Sequence, residues 1–490
     1  MLAAIRGLGP VNSRFEWCAD VPKAGVLLAL PALLCCGLLA KSPAQFQLPQ
    51  GYYGLSHIFL LVAFMARARI KTVEGLRYCA PGEWGKVLGL DRIPEARTLR
   101  AKLQWLGDEQ RVAQWASDLC LDWMQSDPDS AGTLYVDGHV RVYHGAKAHL
   151  PKHYVARERL CLRATTDYWV NAAGGRPFFV VHRPVDSGLL AVLEGEIVPR
   201  LEKEVPHQPT PEQLAQDPTL DNEQPHGNPR DSPAGRLRAS DQRHLHQRTA
   251  GNHGGGRKHV REMVAGNISE IHAGTLRSGP SASEYQVKEL PETTRVVNPA
   301  WRELDRQRRS LLVRVNRKLV EFARVSLPEG IDPEKTEAFL QKKKTAQKQA
   351  DTLQQELAEI KAKLKQTEHY VRLSQLPKEE QFNRLSSGAK DLVDTIKLIA
   401  YRAETAMAQV VREHLPKGRV GEERRLLQSL YGSEADLVPN QTEGTLTVNI
   451  HHPANPLLGR AAQSLCEELT LTNTMFPTTN LRIIYQLVSK

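Results

Sequence analysis

The apolar positions change period several times along the chain, and each change predicts an element. Up to about residue 128 they recur at helical spacing. Two runs, "GVLLALPALLCCGLLA" (Gly25 to Ala40) and "SHIFLLVAFMARARI", are apolar almost throughout. The first is short for a bilayer span and carries Pro31, and the preceding stretch holds Glu16 and Asp20, unlike a signal peptide. Both runs are therefore expected as buried helices packed on each other rather than as a membrane hairpin. "RIPEARTLRAKLQWL", with Pro94 near a helix start, and "DEQRVAQWASDLCLDWMQSD", closed by Pro128, are amphipathic helices. Short helices with arginines at their turns suit either a DNA reader or a packing domain.

At Gly132 the period drops to two. "TLYVDGHVRVYHG" alternates through Leu134, Val136, Val140 and Val142. "RLCLRATTDYWVNAAGG" and "RPFFVVHRPV" read as further strands, and "SGLLAVLEGEIVPRLEKEV" as an amphipathic helix. Three antiparallel strands followed by a helix make the opening half of a ribonuclease H-like fold. Farther on, "WRELDRQRRSLLVRVNRKLVEFARV" is a basic helix. The helix after it places Ala346, Ala350, Leu353, Leu357, Ile360 and Leu364 at alternating spacings of four and three, a heptad seam. The pair predicts a long antiparallel helical hairpin. "GAKDLVDTIKLIAYRAETAMAQVVREHL" is a helix buried on one side, and the end reads strand ("GTLTVNIHH"), helix, strand ("NLRIIYQLV").

The expected class is thus mixed α/β. A helical domain spans 1–128, with DNA binding as a candidate role, and half of a ribonuclease H-like domain spans 129–206. The hairpin with the buried helix covers 284–430, and a strand-helix-strand unit covers 431–490. The segment 207–283 fits none of these. Between Asp221 and Ser283 there is no Phe, Tyr or Trp and few large aliphatics, which predicts a stretch without a packed core. "GNHGGGRK" lacks the Lys-Ser/Thr ending of a phosphate loop. His226, His244, His246, His253 and His259 are spaced too irregularly for a metal site.

Charge narrows the partner. The net charge is +10 and the pI about 9.2, so an anionic partner is expected, with nucleic acid first. Cys18, Cys35, Cys36, Cys79, Cys120, Cys161 and Cys466 lie far apart or adjacent and form no C-x-x-C, which argues for a reducing compartment. Lys152, Arg157, Arg159 and Arg163 are candidates for phosphate contact, or serve only solubility. Asp137 stands out because it interrupts an apolar strand, where a carboxylate is costly unless paired or bound to metal. Asp167, beside Tyr168 and Trp169, reads as structural.

Several long segments carry a resemblance: "GTLYVDGHVRVYHG", "LPKHYVARERLCLRATTDYWVNAAGGRPFFVV", "LPETTRVVNPAWRELD", "LRYCAPGEWGKVLGLDRIPE" and "DTIKLIAYRAETAMA". They resemble bacterial insertion-sequence transposases of the DDE type. The resemblance implies a ribonuclease H-like catalytic domain, two Mg²⁺ ions, and strand cleavage and transfer at transposon ends. It matches Asp137 to the first catalytic aspartate and metal ligand. It also requires a second Asp after a fourth strand and a Glu within R-x-x-x-E, both between Leu220 and Glu284, in the anomalous segment. Read one base later, the codons for His259 to Gly279 permit "MFARWSQEIFLKYMREHF", in which Met263 followed by Val264 forces Trp. This amphipathic helix holds the R-x-x-x-E pattern, with its Glu straddling the codons of Gly266 and Asn267. Residues from about 221 to 283 are therefore read as out of frame, with the fourth strand and second Asp deleted near Leu220. The expectation is a cytoplasmic, homodimeric chain that binds double-stranded transposon-end DNA, off the membrane, with its two-metal site not formed. The alternative is a non-enzymatic DNA-binding remnant that represses an intact relative.

Overall fold

The structure is a computed structural model describing residues 10–145, 148–155, 158–172, 174–183, 188–204, 262–265 (backbone only), 287–324, 333–415, 421–451 and 456–488. A short strand, β1 (Cys18–Val21), comes first and joins a sheet built by the end of the chain. The first apolar run does not form one helix. Ala24–Ala29 is a 3-10 turn and Leu30–Cys35 a short α1, because Pro31 lacks an N–H and is accommodated only in a first helical turn. The second run forms α2 (Leu55–Arg67), buried from His57 to Arg67. The two runs touch, as expected, and both also pack beneath a long helix far along the chain, Gly388–Glu413. No helix among the described residues is long and apolar enough to cross a membrane.

Two amphipathic helices follow. α3 (Ala96–Leu106) buries Leu99, Leu103 and Leu106. α4 (Glu109–Ser126) starts at Asp108, whose carboxylate accepts from Arg111 N at 2.9 Å, and buries Val112, Trp115, Leu119 and Trp123 along one stripe. Trp115 meets Phe46 and Phe59 edge-on or tilted, with centroids 5.5 and 5.3 Å away.

The first sheet contains β2 (Thr133–Val142), β3 (Lys152–Val155), β4 (Leu160–Ala172), β5 (Pro177–Arg183) and β6 (Glu262–Ala265). β4 is antiparallel to β2, β3 and β5, while β6 runs parallel to β2, with Thr133 opposite Glu262 and Val136 opposite Ala265. Reading across, the order is β5-β4-β2-β6, and β3 pairs with the first residues of β4. β6 corrects the expectation that the visible sequence holds no fourth strand. The open edge of β2 presents unpaired N–H and C=O groups, and the short segment around Met263 and Val264 satisfies them. The other residues of 207–283 lie outside the described residues. Helix α5 (Val198–Glu204) comes after β5, beyond a helical turn at Leu189–Val192 and a π turn at Leu193–Ile197. The π turn closely precedes Pro199, which has no N–H for regular helix bonding.

The helical hairpin is α6 (Pro299–Arg324) and α7 (Pro333–Gln366). Its seam buries Leu311 and Val315 against Leu353 and Leu357, with Ile360 partly covered. Trp301 meets His369 at its base, and Lys343 lies over Phe322 toward the far end, so the helices are antiparallel. Two ribbons form the neck. β7 (Val287–Glu289) pairs with β10 (Asn383–Leu385), and β8 (Arg295–Val297) with β9 (Tyr370–Arg372), around Leu290, Val296, Leu373 and Leu376.

α8 (Gly388–Glu413) and α9 (Glu422–Gly432) return to the main body. The second sheet adds β11 (Ala435–Asn440), β12 (Thr445–His451) and β13 (Arg482–Val488) to β1, in the order β1-β11-β12-β13. β12 and β13 are parallel, joined by α10 (Pro456–Leu471), while β1 pairs antiparallel with β11 from the opposite end of the chain. One apolar core runs from Phe15 to Tyr485, continuous through both sheets and α8 and across the boundaries drawn at 128 and 430. α8 starts where Gly107 and Gly388 meet backbone to backbone. A Cβ on Gly388 would sit 1.7 Å from Gly107 O, so neither a larger residue nor a shifted helix start fits.

Deeper along α8, Glu404 is fully buried. It accepts from Arg69 Nη2 at 2.9 and 3.0 Å and from Arg424 Nη1 at 3.1 Å, and pairs with the buried Arg67. Burial disfavours its charge, but Arg67, Arg69 and Arg424 outweigh that and hold its pKa below the usual range. Glu404 thereby ties α2, α8 and α9 together. Glu404→Gln leaves three guanidinium groups short of their counter-charge and is expected to cost about 3–5 kcal/mol in urea unfolding. A loss below about 1 kcal/mol would show that the network is dispensable.

Candidate functional site

Asp137 lies in the middle of β2, the strand flanked by β4 and β6. Leu134 and Val136 point into the core, while Tyr135 and Asp137 face the other way and are half-buried. Cross-strand register puts Trp169 opposite Asp137 and Asp167 opposite His139. Asp137, His139 and Arg141 therefore share one face with Trp169 and Asp167. In β6, the parallel neighbour, the only carboxylate is at Glu262, opposite Thr133 rather than near Asp137.

The other acidic residue on that face, Asp167, is committed elsewhere. It is fully buried, ion-paired with Arg141, 2.6 Å from His182 Nδ1 and 3.1 Å from Lys390 Nζ. His182 Nε2 reaches Asp391 at 2.8 Å and Asp394 at 3.4 Å. Lys390 and Lys397 bind Asp394 at 2.8 and 3.0 Å. Asp167, His182 and Asp394 bring ligand-type atoms within 4.8 Å of one another, as a metal site would. Lys390 Nζ, however, stands between them, also 2.7 Å from His182 Nδ1, so an ammonium occupies the place of a cation. Three carboxylates meet Arg141, Lys390, Lys397 and the imidazole, and the charge is compensated within the protein. Burial opposes ionisation of Asp167 and Asp394, yet Lys390 and the other cations hold both far below the usual carboxylate range. Burial and Lys390 disfavour His182⁺, but Asp167 and Asp391 prevail and raise its pKa to about 9.

Among the described residues, the donor set around Asp137 does not fit the two Mg²⁺ ions that the DDE resemblance implies. A two-metal centre needs several carboxylates converging on one gap. Among the described residues that face offers Asp137 and Asp167, and Asp167 is already neutralised by Arg141, His182 and Lys390. The predicted position of the lost Glu, at Gly266 and Asn267, is outside the described residues.

Of the basic candidates, Lys152 and Arg163 are brought together. They sit directly opposite each other on the β3–β4 ribbon, both exposed, with the exposed Tyr154 two residues along. Like charges in that register repel, a cost an anion would relieve. Arg159 is exposed at the intervening turn in a left-handed conformation (φ 55°). Arg157 lies outside the described residues. Sequence reading missed the partners of Asp167. The available signal was "KDLVDTIK", in which Lys390, Asp394 and Lys397 recur at helical spacing on a face otherwise apolar.

A family model described as "Transposase protein" matches residues 1–222 and 279–489. The chain belongs to this family of transposases. The match stops and resumes around the segment whose composition had set it apart. No curated protein and no solved structure matches the chain.

The ion network makes a pH prediction. His182, with its pKa raised from 6.5 to about 9, contributes stability that is complete below about pH 6.5 and lost as pH rises through 9. Asp167 and Asp394, both depressed, contribute above about pH 3.8 and lose it on acidification. In thermal melts His182→Gln should remove part of the alkaline decline; an identical decline in wild type and variant would refute the assignment.

Proposed function

We propose that this transposase chain binds double-stranded DNA at transposon ends and, in the form given by this sequence, does not cleave it. The observation that carries the reading is Asp137. It stands on the central strand of a sheet ordered β5-β4-β2-β6, three antiparallel strands and one parallel. That order supports a ribonuclease H-like domain of the DDE type, with Asp137 in the place of its first catalytic carboxylate. The same face supports the loss of catalysis, since one carboxylate does not assemble a two-Mg²⁺ centre. The interruption of the family match between 222 and 279 supports an out-of-frame segment following a deletion.

DNA binding is supported by charge placement. α6 carries eight basic and three acidic residues and α7 eight and five, so most of the +10 excess lies on the hairpin. The Lys152–Arg163 pair adds a second basic surface beside the sheet. A homodimer fits the exposed Leu312 and Leu319, and Val313 and Val320, each pair seven residues apart on α6. A chain that keeps these surfaces and lacks chemistry would act as a repressor of an intact relative.

The test is end-DNA binding across a salt series, with a parallel cleavage assay in Mg²⁺ or Mn²⁺. Binding should weaken steeply with salt, and Lys152→Ala with Arg163→Ala should lower the log–log slope by about 2. No cleavage should be seen. Metal-dependent cleavage that disappears in Asp137→Asn would overturn the inactive reading, and absence of salt-sensitive binding would overturn the DNA reading. Sequencing the gene across codons 205 to 290 should spell the R-W-S-Q-E helix in the frame one base later. A frame that spells nothing of the kind rejects the frameshift.

A further inference from the structure

At one end of the second sheet, two segments bring three acidic residues around an imidazole carried by a third. His451 is the last residue of β12, Asp436 lies on β11, Glu434 immediately precedes β11, and Asp20 is on β1. The arrangement is held by backbone. His451 N donates to Glu434 O at 3.2 Å, and Asp20 N donates to Asp436 Oδ1 at 2.8 Å. The His451 side chain is only 12% exposed. Its Nε2 lies 3.3 Å from Asp436 Oδ1, close enough to donate a proton. In the neutral tautomer that donates there, Nδ1 carries the lone pair.

Nδ1 is buried and has no hydrogen-bond partner. It faces Asp20 Oδ1 at 3.8 Å and Glu434 Oε2 at 3.9 Å, too far for hydrogen bonds. Three electron-pair donors thus surround one gap, all within 4.8 Å of one another. A point equidistant from atoms so spaced lies roughly 2.2–2.5 Å from each, against zinc bonds of about 2.0–2.2 Å to His nitrogen and carboxylate oxygen. The side chains therefore need to close by only a few tenths of an ångström. The contrast with Asp167, His182 and Asp394 is direct. There Lys390 fills the gap, whereas among the described residues the ionic neighbours of His451 are Asp20, Glu434 and Asp436, all carboxylates.

We propose that Asp20, Glu434 and His451 bind one divalent cation of the zinc class, with Asp436 orienting the imidazole. A carboxylate behind a ligating histidine is the usual outer support of such sites. The exposed carboxylates leave the remaining coordination positions to water. The ion is structural. It fastens β1 at the start of the chain to β11 and β12 near its end, and owes nothing to Asp137 or to DNA.

The test uses the full chain, stripped with chelator and titrated with Zn²⁺ by calorimetry and with Co²⁺ by absorption. One ion per chain should bind, with a Co²⁺ spectrum of nitrogen and oxygen ligands and no thiolate charge-transfer band, and Zn²⁺ should raise the melting temperature. Asp20→Asn with Glu434→Gln changes two exposed side chains, so the apo melting temperature should stay within a few degrees of wild type, while affinity falls at least ten-fold. Asp436→Asn should weaken binding by about 10- to 100-fold. Absence of stoichiometric binding, a thiolate spectrum, or equal affinity in the double variant would each overturn the proposal.

Discussion

Buried charge on one helix organises this molecule. α8 carries Asp394 near its start and Glu404 ten residues, about 15 Å, further on. Each carboxylate ties in elements distant in sequence. Asp394 gathers Lys390, Lys397 and, through Asp167 and His182, strands β4 and β5. Glu404 gathers Arg67, Arg69 and Arg424. Such networks add little net stability over apolar packing of the same volume, because desolvation offsets much of the attraction. Their effect is on register: apolar contacts along α8 would tolerate sliding by a turn, but a carboxylate displaced from its guanidinium groups would not. The Gly107–Gly388 contact adds a steric stop at the helix start.

This arrangement explains why the main body can be whole while the described residues around Asp137 offer few ligands. β5 packs on α8 and α4, and Asp167 ties β4 to Arg141 of β2, His182 of β5 and Lys390 of α8. None of that draws on a residue from 207–283. β2 then offers a free edge, and β6 fills it with four residues paired through backbone groups alone. Backbone pairing is indifferent to side-chain identity, so a strand slot is refilled by any segment of adequate β propensity. A metal centre has no such tolerance, since it needs particular carboxylates at particular positions.

The same distinction decides how much was legible in the sequence. Period-two and helical patterns placed β2, β4, β5, α3, α4 and the hairpin seam, because each reflects one face meeting one core. The split of the first apolar run at Pro31 was readable in principle, but the density of leucine concealed it. β1 and β11 were missed because their pairing joins Cys18 to Leu437, a contact no local pattern encodes. Asp137 was visible as a lone carboxylate in an apolar strand. The cations around Asp167 were not, since Arg141, His182 and Lys390 come from three elements and only the fold brings them together. β6 defeated composition altogether, its partner being an edge rather than a core.

Placement of charge also bears on what a break in this chain would leave behind. The basic residues of α6 and α7 lie entirely after the anomalous segment, and Lys152 and Arg163 lie entirely before it. Each basic surface is built by a local unit, a two-helix hairpin closed by its own neck ribbons or a two-strand ribbon, and neither borrows a residue from 207–283. On the proposed reading a metal centre of the DDE type is the reverse case, because its carboxylates would come from separate stretches, two of them inside the interrupted region. On the proposed reading, then, changes confined to 207–283 separate binding from chemistry. Affinity for phosphate is a sum over many scattered cations and survives the loss of a segment, while catalysis is a product of few groups and does not.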